Sequence, residues 1–194
     1  MPDPLYYEDL ELDRIYETAA REVTRHDFEL FAEVEGHKAA MHLDEEYATK
    51  HSVFGRLTAH GLLTLGMSAG LMGDMGLFDG TALAFLSLTW EFHAPVCLGD
   101  QIHVKWWVSS KRPTSKPGRG VIVRDMEVLN QDDLKVCSGT IPHFGPCGQT
   151  RPSRRCRARQ AVRARTRPPS RRPPGRAGRC QMYHLATGMI RSER

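Results

Sequence analysis

The sequence predicts an α+β domain in which an antiparallel sheet wraps around one buried helix. Residues 57–72 are apolar almost all round, which is typical of a helix that is buried on every side. Beyond residue 80 the apolar pattern changes to a period of two, which indicates strands, and short loops join these strands as they join antiparallel neighbours. Because only one helix is apolar all round, we expect the sheet to enclose it.

Short helices are predicted ahead of this central helix. Thr24 is a favourable N-cap with Asp27 at the capping-box position, and Gly36 would end the helix that they start. Asp44 is predicted to cap a short helix over 45–48, whose acidic first turn suits the positive end of the helix dipole.

The central helix itself contains Gly61, Gly66 and Gly70. Glycine lowers helix stability, so we expect these positions to serve close packing against the sheet.

Five segments are predicted to form strands. In the clearest one, four apolar side chains alternate with polar ones between residues 86 and 92, whereas the first segment alternates only weakly. The predicted strands cover residues 15–23, 86–92, 102–108, 121–129 and 134–141.

Charge divides the chain into two unlike parts. Of the 27 basic and 23 acidic residues, 14 Arg and a single acid, Glu193, lie within residues 151–194. The remainder is acidic, which excludes a basic nucleic-acid-binding domain. We predict a folded domain over 1–141 and a disordered Arg/Pro-rich tail over 142–194, because the tail is too poor in apolar residues to offset its chain entropy. The tail is either genuine or the product of a shifted reading frame.

Several classes of protein are not expected. No stretch approaches the ~18 apolar residues of a membrane span, and the N-terminus has no basic region followed by an apolar run. The five cysteines include no Cys-x-x-Cys pair, which argues against a disulfide framework and a structural zinc site. We therefore expect a cytoplasmic protein with free thiols and no membrane partner.

Three stretches, in this order and spacing, resemble the MaoC-like dehydratases, a family that includes the (R)-specific enoyl-CoA hydratases. Residues 42–48 (HLDEEYA) are similar to the family segment that begins at its catalytic histidine. Residues 54–64 (FGRLTAHGLLT) are similar to the start of its central helix, and residues 92–100 (FHAPVCLGD) to a turn between strands. The resemblance covers about residues 8–140 and implies the hotdog fold, a sheet wrapped around one long helix.

The chain departs from the family in its active segment. The family pattern is Gly-Asp-x-Asn-Pro-x-His, whereas residues 36–42 read GHKAAMH. The histidine is retained as His42, the acid has become His37, and the Asn-Pro pair has become Ala39-Ala40.

The resemblance implies hydration of an enoyl thioester, in which two side chains share a water and a backbone N–H holds the thioester oxygen. His42 suits general acid–base work because the ordinary pKa of histidine lies near neutrality. His37 would replace the missing acid if it is neutral, and two neighbouring histidines resist double protonation. Glu33 and Glu35 are alternatives to His37.

The start of the central helix supplies the predicted oxyanion site. Gly61 would offer its N–H without an obstructing side chain, at a helix end that favours negative charge. Ala59 and His60 are expected to shape the substrate pocket beside it. We expect no metal, since the spacing of His37, His42 and His60 matches no compact ligand pattern and lacks a Cys or acid partner.

The sequence thus favours a lyase that adds water reversibly, with syn geometry, to a 2-enoyl-CoA. Two alternatives are a catalytically impaired acyl-CoA-binding protein, which the lost acid favours, and a hotdog thioesterase, against which the absence of Asp and Glu from residues 57–72 counts. The expected partners are the acyl-CoA substrate, which carries coenzyme A so that no cofactor is needed, and a second copy in a homodimer or higher oligomer. We expect no specific nucleic acid; the Arg-rich tail would bind phosphates only through charge.

Overall fold

The computed structural model describes residues 3–147. In chain order the elements are a 3-10 turn (Tyr7–Asp9), β1 (Tyr16–Glu17), β2 (Arg21–Glu22), α1 (Arg25–Glu35), α2 (Ala40–Leu43), α3 (Glu45–His51), α4 (Gly61–Asp74), β3 (Ala84–Phe85), β4 (Thr89–Phe92), β5 (Gln101–Pro113), β6 (Arg119–Leu129) and β7 (Lys135–Pro146).

These strands form one antiparallel sheet around a central meander. The long strands β5, β6 and β7 are joined by consecutive hairpins, and the short strands lie on the two outer sides of this unit. Both β1 and β2 pair with β5, whereas β3 and β4 pair with β7. The predicted antiparallel sheet is therefore confirmed.

Helix α4 packs one face on this sheet. Leu63, Met67 and Leu71 are buried on that face and share a hydrophobic core with the inward residues of β5. Buried and more exposed side chains alternate along β5, as predicted. The residues that face the core are Ile102, Val104, Trp106 and Val108, each 0% exposed.

The prediction that the central helix is buried on every side is wrong for the protomer. The helix starts at Gly61 rather than at residue 57, and its opposite face is exposed, with Leu62 55% exposed and Gly66 and Gly70 open to space. A single sheet covers only one side of a helix, so the outer face of α4 remains without a partner within the described residues.

The ends of the predicted sheet also differ from expectation. The early strand splits into β1 and β2, with Thr18 between them bonded to Val104 through its N–H and its hydroxyl. At the other end β7 continues past Ile141 to Pro146, and the domain boundary after residue 141 stays a prediction. The predicted disordered tail, from residue 148 onward, lies outside the described residues.

The helix caps are as predicted. The Thr24 side chain accepts from the Asp27 N–H, the Asp27 carboxylate accepts from the Thr24 N–H, and Gly36 ends α1 with a left-handed φ of 77°. Asp44 caps α3 by accepting from the Tyr47 N–H. No helix between residues 3 and 147 has the length and hydropathy needed to cross a membrane.

Candidate active site

Three histidines meet where the end of α1, the single turn α2 and the beginning of α4 come together. The ring centroids are 3.9 Å apart for His42 and His60, 5.7 Å for His37 and His60, and 6.2 Å for His37 and His42. The structure thus brings together both predicted catalytic residues and the predicted pocket residue His60.

Local structure explains why these side chains converge. The left-handed conformation of Gly36 turns the chain sharply at the end of α1, which places both Glu35 and His37 near His60. His42 lies in the one-turn helix α2, and His60 is the N-cap residue of α4.

A backbone contact determines the tautomer of His42. Its Nδ1 atom lies 2.8 Å from the carbonyl oxygen of Thr58. A carbonyl oxygen only accepts hydrogen bonds, so the neutral ring carries its proton on Nδ1 and keeps a lone pair on Nε2. His42 is half-buried. Nε2 of His42 can therefore accept a proton, as a general base does.

His60 is held differently. Its side chain is 4% exposed, its Nε2–H donates to the carbonyl oxygen of His37 at 3.2 Å, and Oε2 of Glu35 lies 3.6 Å from the same nitrogen. Burial, and secondarily the charge of His42, lower the pKa of His60, which favours the neutral ring. Its Nδ1 is buried without a hydrogen-bond partner among the described residues.

The two predicted alternatives to His37 are separated by the fold. Glu35 lies against the histidine cluster, whereas Glu33 is exposed and has no ion pair within residues 3–147. His37 itself is exposed, so its ring is open to water.

The start of α4 has the features of an oxyanion site. No side chain caps this end, and the N–H groups of Gly61 and Leu62 have no intrahelical acceptor. A Cβ atom on Gly61 would lie 2.7 Å from Cζ of Phe92, so any other residue here would require this ring or the helix start to shift. Ala59 is half-buried and donates its N–H to the Val96 carbonyl at 2.8 Å, which ties the helix start to the following turn.

Sequence reasoning did not select Thr58 or Phe92. Thr58 acts through a backbone carbonyl, which the side-chain pattern does not reveal. Phe92 reads as an ordinary apolar strand residue, although it is the last residue of β4, 59% exposed, and covers Gly61.

Comparisons with known proteins place this arrangement in a class. A 3-hydroxybutyryl-CoA dehydratase of Methylorubrum extorquens is 35% identical over 115 residues, which are 59% of this chain and 71% of that protein. The structure of R-hydratase PhaJ1 from Pseudomonas aeruginosa superposes with a TM-score of 0.60 at 28% identity, covering 74% of this chain and 86% of that one. A double-hotdog protein from Mycobacterium tuberculosis, Rv0216, gives a TM-score of 0.66 at 18% identity, covering 77% of this chain and 47% of that one.

An antiparallel sheet packed on one central helix, with a histidine beside the uncapped helix start, is therefore the arrangement of a hotdog fold. The family model described as MaoC like domain matches residues 10–128, more than half of the chain. The protein belongs to this family, as the resemblance of its motifs implies.

Proposed function

We propose that the protein catalyses the reversible syn addition of water to a 2-enoyl-CoA, with His42 as the general base. The observation that supports this most strongly is the contact of His42 Nδ1 with the Thr58 carbonyl, which leaves Nε2 of the neutral ring as an acceptor beside the uncapped start of α4. The 3-hydroxybutyryl-CoA dehydratase relative supports a short 2-enoyl-CoA as the first substrate to test.

In the proposed reaction, Nε2 of His42 removes a proton from a bound water as the water oxygen bonds to the β-carbon. The C=C electron pair moves toward the carbonyl, and the N–H of Gly61 stabilises the negative charge that develops on the thioester oxygen. The proton held on His42 then passes to the α-carbon on the same face. The product is the 3-hydroxyacyl thioester, and His42 regains its starting state.

His37 takes the place of the family's acid in this proposal. It is exposed and its ring lies edge-on to His42, so one water can contact both rings. His37 accepts from the second hydrogen of the water and orients its lone pair toward the β-carbon. His60 and Ala59 shape the pocket wall, because one is buried and the other is fixed by its backbone bond to Val96.

We also propose a homodimer formed along the outer edge of the sheet. The strands β3 and β4 form an edge, and this region exposes Leu83, Phe85, Leu86 and Phe92 at 53%, 62%, 42% and 59%. Exposed apolar edge strands favour pairing with another chain. Light scattering of the wild type should give the mass of a dimer, and Phe85→Glu should give that of a monomer. The control Val53→Glu, at an exposed site outside this edge, should remain a dimer. A monomeric wild type would contradict the proposal.

The substrate carries coenzyme A, and we propose that no further cofactor takes part. Cys137 and Cys147 are free thiols, which supports a cytoplasmic location, and the acyl-CoA substrate supports a role in fatty acid metabolism.

The test incubates the protein with crotonyl-CoA and follows two signals in parallel, the enoyl absorbance and the free thiol. Loss of absorbance without thiol release, at a rate proportional to protein concentration, is the expected result. Thiol release would instead indicate a thioesterase. Neither signal, together with binding of acyl-CoA by calorimetry, would indicate the catalytically impaired binding protein.

A further inference from the structure

We propose that Glu35, His37 and His60 form a binding site for a divalent transition-metal ion of the Zn²⁺ type. This inference goes beyond the proposed function and rests on the geometry of these three residues alone. No metal was expected from the sequence because the three histidines lack an acidic ligand beside them. The fold brings such a ligand, Glu35, next to His60.

The potential ligand atoms are already close. One ligand atom from each of the three residues lies within 4.8 Å of the other two, and Oε2 of Glu35 is 3.6 Å from Nε2 of His60. Ligands bonded to one tetrahedral ion at about 2.1 Å are about 3.4 Å apart. Rotation of the exposed Glu35 and His37 side chains is sufficient to close this difference around the buried His60.

The set of donor atoms fits borderline transition metals. Two imidazoles and one carboxylate are a common zinc ligand set, and hard cations such as Mg²⁺ prefer oxygen ligands alone. The fourth position would be open to water. His42 does not need to join, because its Nδ1 is engaged by the Thr58 carbonyl.

The backbone favours chelation. Glu35 and His37 are separated only by Gly36, whose left-handed conformation is already formed, so binding fixes little additional backbone. The site lies between the C-terminal end of α1, whose dipole favours a cation, and the N-terminal end of α4, whose dipole opposes one, so the helix dipoles do not decide binding. Coordination through Nε2 of His60 requires the proton on that nitrogen to move to Nδ1, which has no hydrogen-bond partner among the described residues.

Binding should be measured on the full-length protein with Zn²⁺ and Co²⁺, after removal of metal with chelator and alkylation of accessible thiols. Calorimetry should show one metal site, and Glu35→Gln and His37→Ala should each lower its affinity for the ion by at least about tenfold. Even substitution of residues that only hydrogen-bond to metal ligands lowers affinity on this scale. Both residues are exposed, and thermal unfolding of the metal-free variants verifies that they fold.

Matched controls lie on the same helix. Glu33→Gln and His26→Ala remove an exposed acid and an exposed histidine of α1 and should leave the affinity unchanged. The absorption of bound Co²⁺ should indicate nitrogen and oxygen ligands, without the charge-transfer band of a thiolate. Absence of binding to the wild type, or an affinity unaltered by both Glu35→Gln and His37→Ala, would overturn the proposal.

The proposed metal site and the proposed hydration activity can be refuted independently of each other. If the protein hydrates crotonyl-CoA but binds no Zn²⁺, only the metal site is refuted. If it binds Zn²⁺ at this site but hydrates no enoyl-CoA, only the proposed function is refuted. If both hold, an ion on His37 removes this ring from the catalytic water, so Zn²⁺ should inhibit hydration and excess chelator should reverse the inhibition.

Discussion

The Nδ1 atom of His42 lies 2.8 Å from the carbonyl oxygen of Thr58, and this bond leaves Nε2 of the same ring as an acceptor. Thr58 is 6% exposed and forms an isolated β-bridge to Cys97, so its backbone is held by the turn between β4 and β5 as well as by its own segment. The proposed base is therefore oriented by the fold and does not depend on a neighbouring carboxylate.

Restoring an acid at position 37 should increase the rate of hydration. In His37→Asp, a carboxylate beside His42 accepts from the water at all pH values above its own ordinary pKa, whereas a histidine loses this ability when protonated. We expect a higher kcat/KM for crotonyl-CoA than in the wild type, and a lower value in His37→Ala. His37→Asn is the matched control, similar in size and without charge. An Asp variant no faster than the Asn variant would contradict the role given to this position.

Two glycines of α4 should respond in opposite ways to the same substitution. In Gly61→Ala the new Cβ would lie 2.7 Å from Phe92, so either the ring or the helix start must shift, and we expect kcat/KM to fall by more than about tenfold. In Gly66→Ala no atom lies within 4 Å of the new Cβ, and the higher helix propensity of alanine should stabilise the fold by up to ~1 kcal/mol.

Both variants are to be measured by steady-state kinetics and by urea unfolding. Equal kinetic losses in Gly61→Ala and Gly66→Ala would show that the helix as a whole, and not its first residue, governs the rate.

Stability should depend on the titration of His143, which is 1% exposed on β7. Burial, together with the charge of Arg124, lowers the pKa of His143 to about 4 from an ordinary value of 6.5. Between these values the unfolded chain binds a proton that the folded chain does not, so the free energy of unfolding should decrease as the pH falls from 6.5 to about 4. We expect this residue to contribute about 3 kcal/mol of that decrease.

The contribution of His143 is isolated by comparison with His143→Leu, which has a similar volume and does not titrate. Urea unfolding at several pH values should show a shallower decrease in this variant over the same window. If the two pH profiles are parallel, His143 does not titrate in the way its surroundings indicate.

Features that depend on neighbouring residues could be predicted from the sequence. Thr24 and Asp27 form the expected capping box because both partners lie within one helical turn, and β5 alternates as expected because the sheet covers one side of it. The resemblance of residues 42–48 and 54–64 to family motifs likewise identified the segments that meet at the site.

Features that depend on distant residues could not be predicted. Glu35 and His60 are 25 positions apart, and nothing local shows that the turn at Gly36 brings them within 3.6 Å. The exposure of the outer face of α4 could not be predicted for a similar reason. An apolar helix face indicates that another surface packs against it, but not whether that surface belongs to the same chain. The approach of Phe92 to Gly61 depends on the register of β4 against β7.

The His42→Asn variant decides whether Nε2 of His42 is the base. The asparagine amide can still donate toward the Thr58 carbonyl, but the variant has no basic nitrogen, so it should fold as the wild type does. We predict that kcat for crotonyl-CoA hydration falls by about 10²–10⁴-fold with little change in the thermal unfolding midpoint, and that His26→Ala keeps wild-type activity. Hydration by His42→Asn within about tenfold of the wild-type rate would contradict the account.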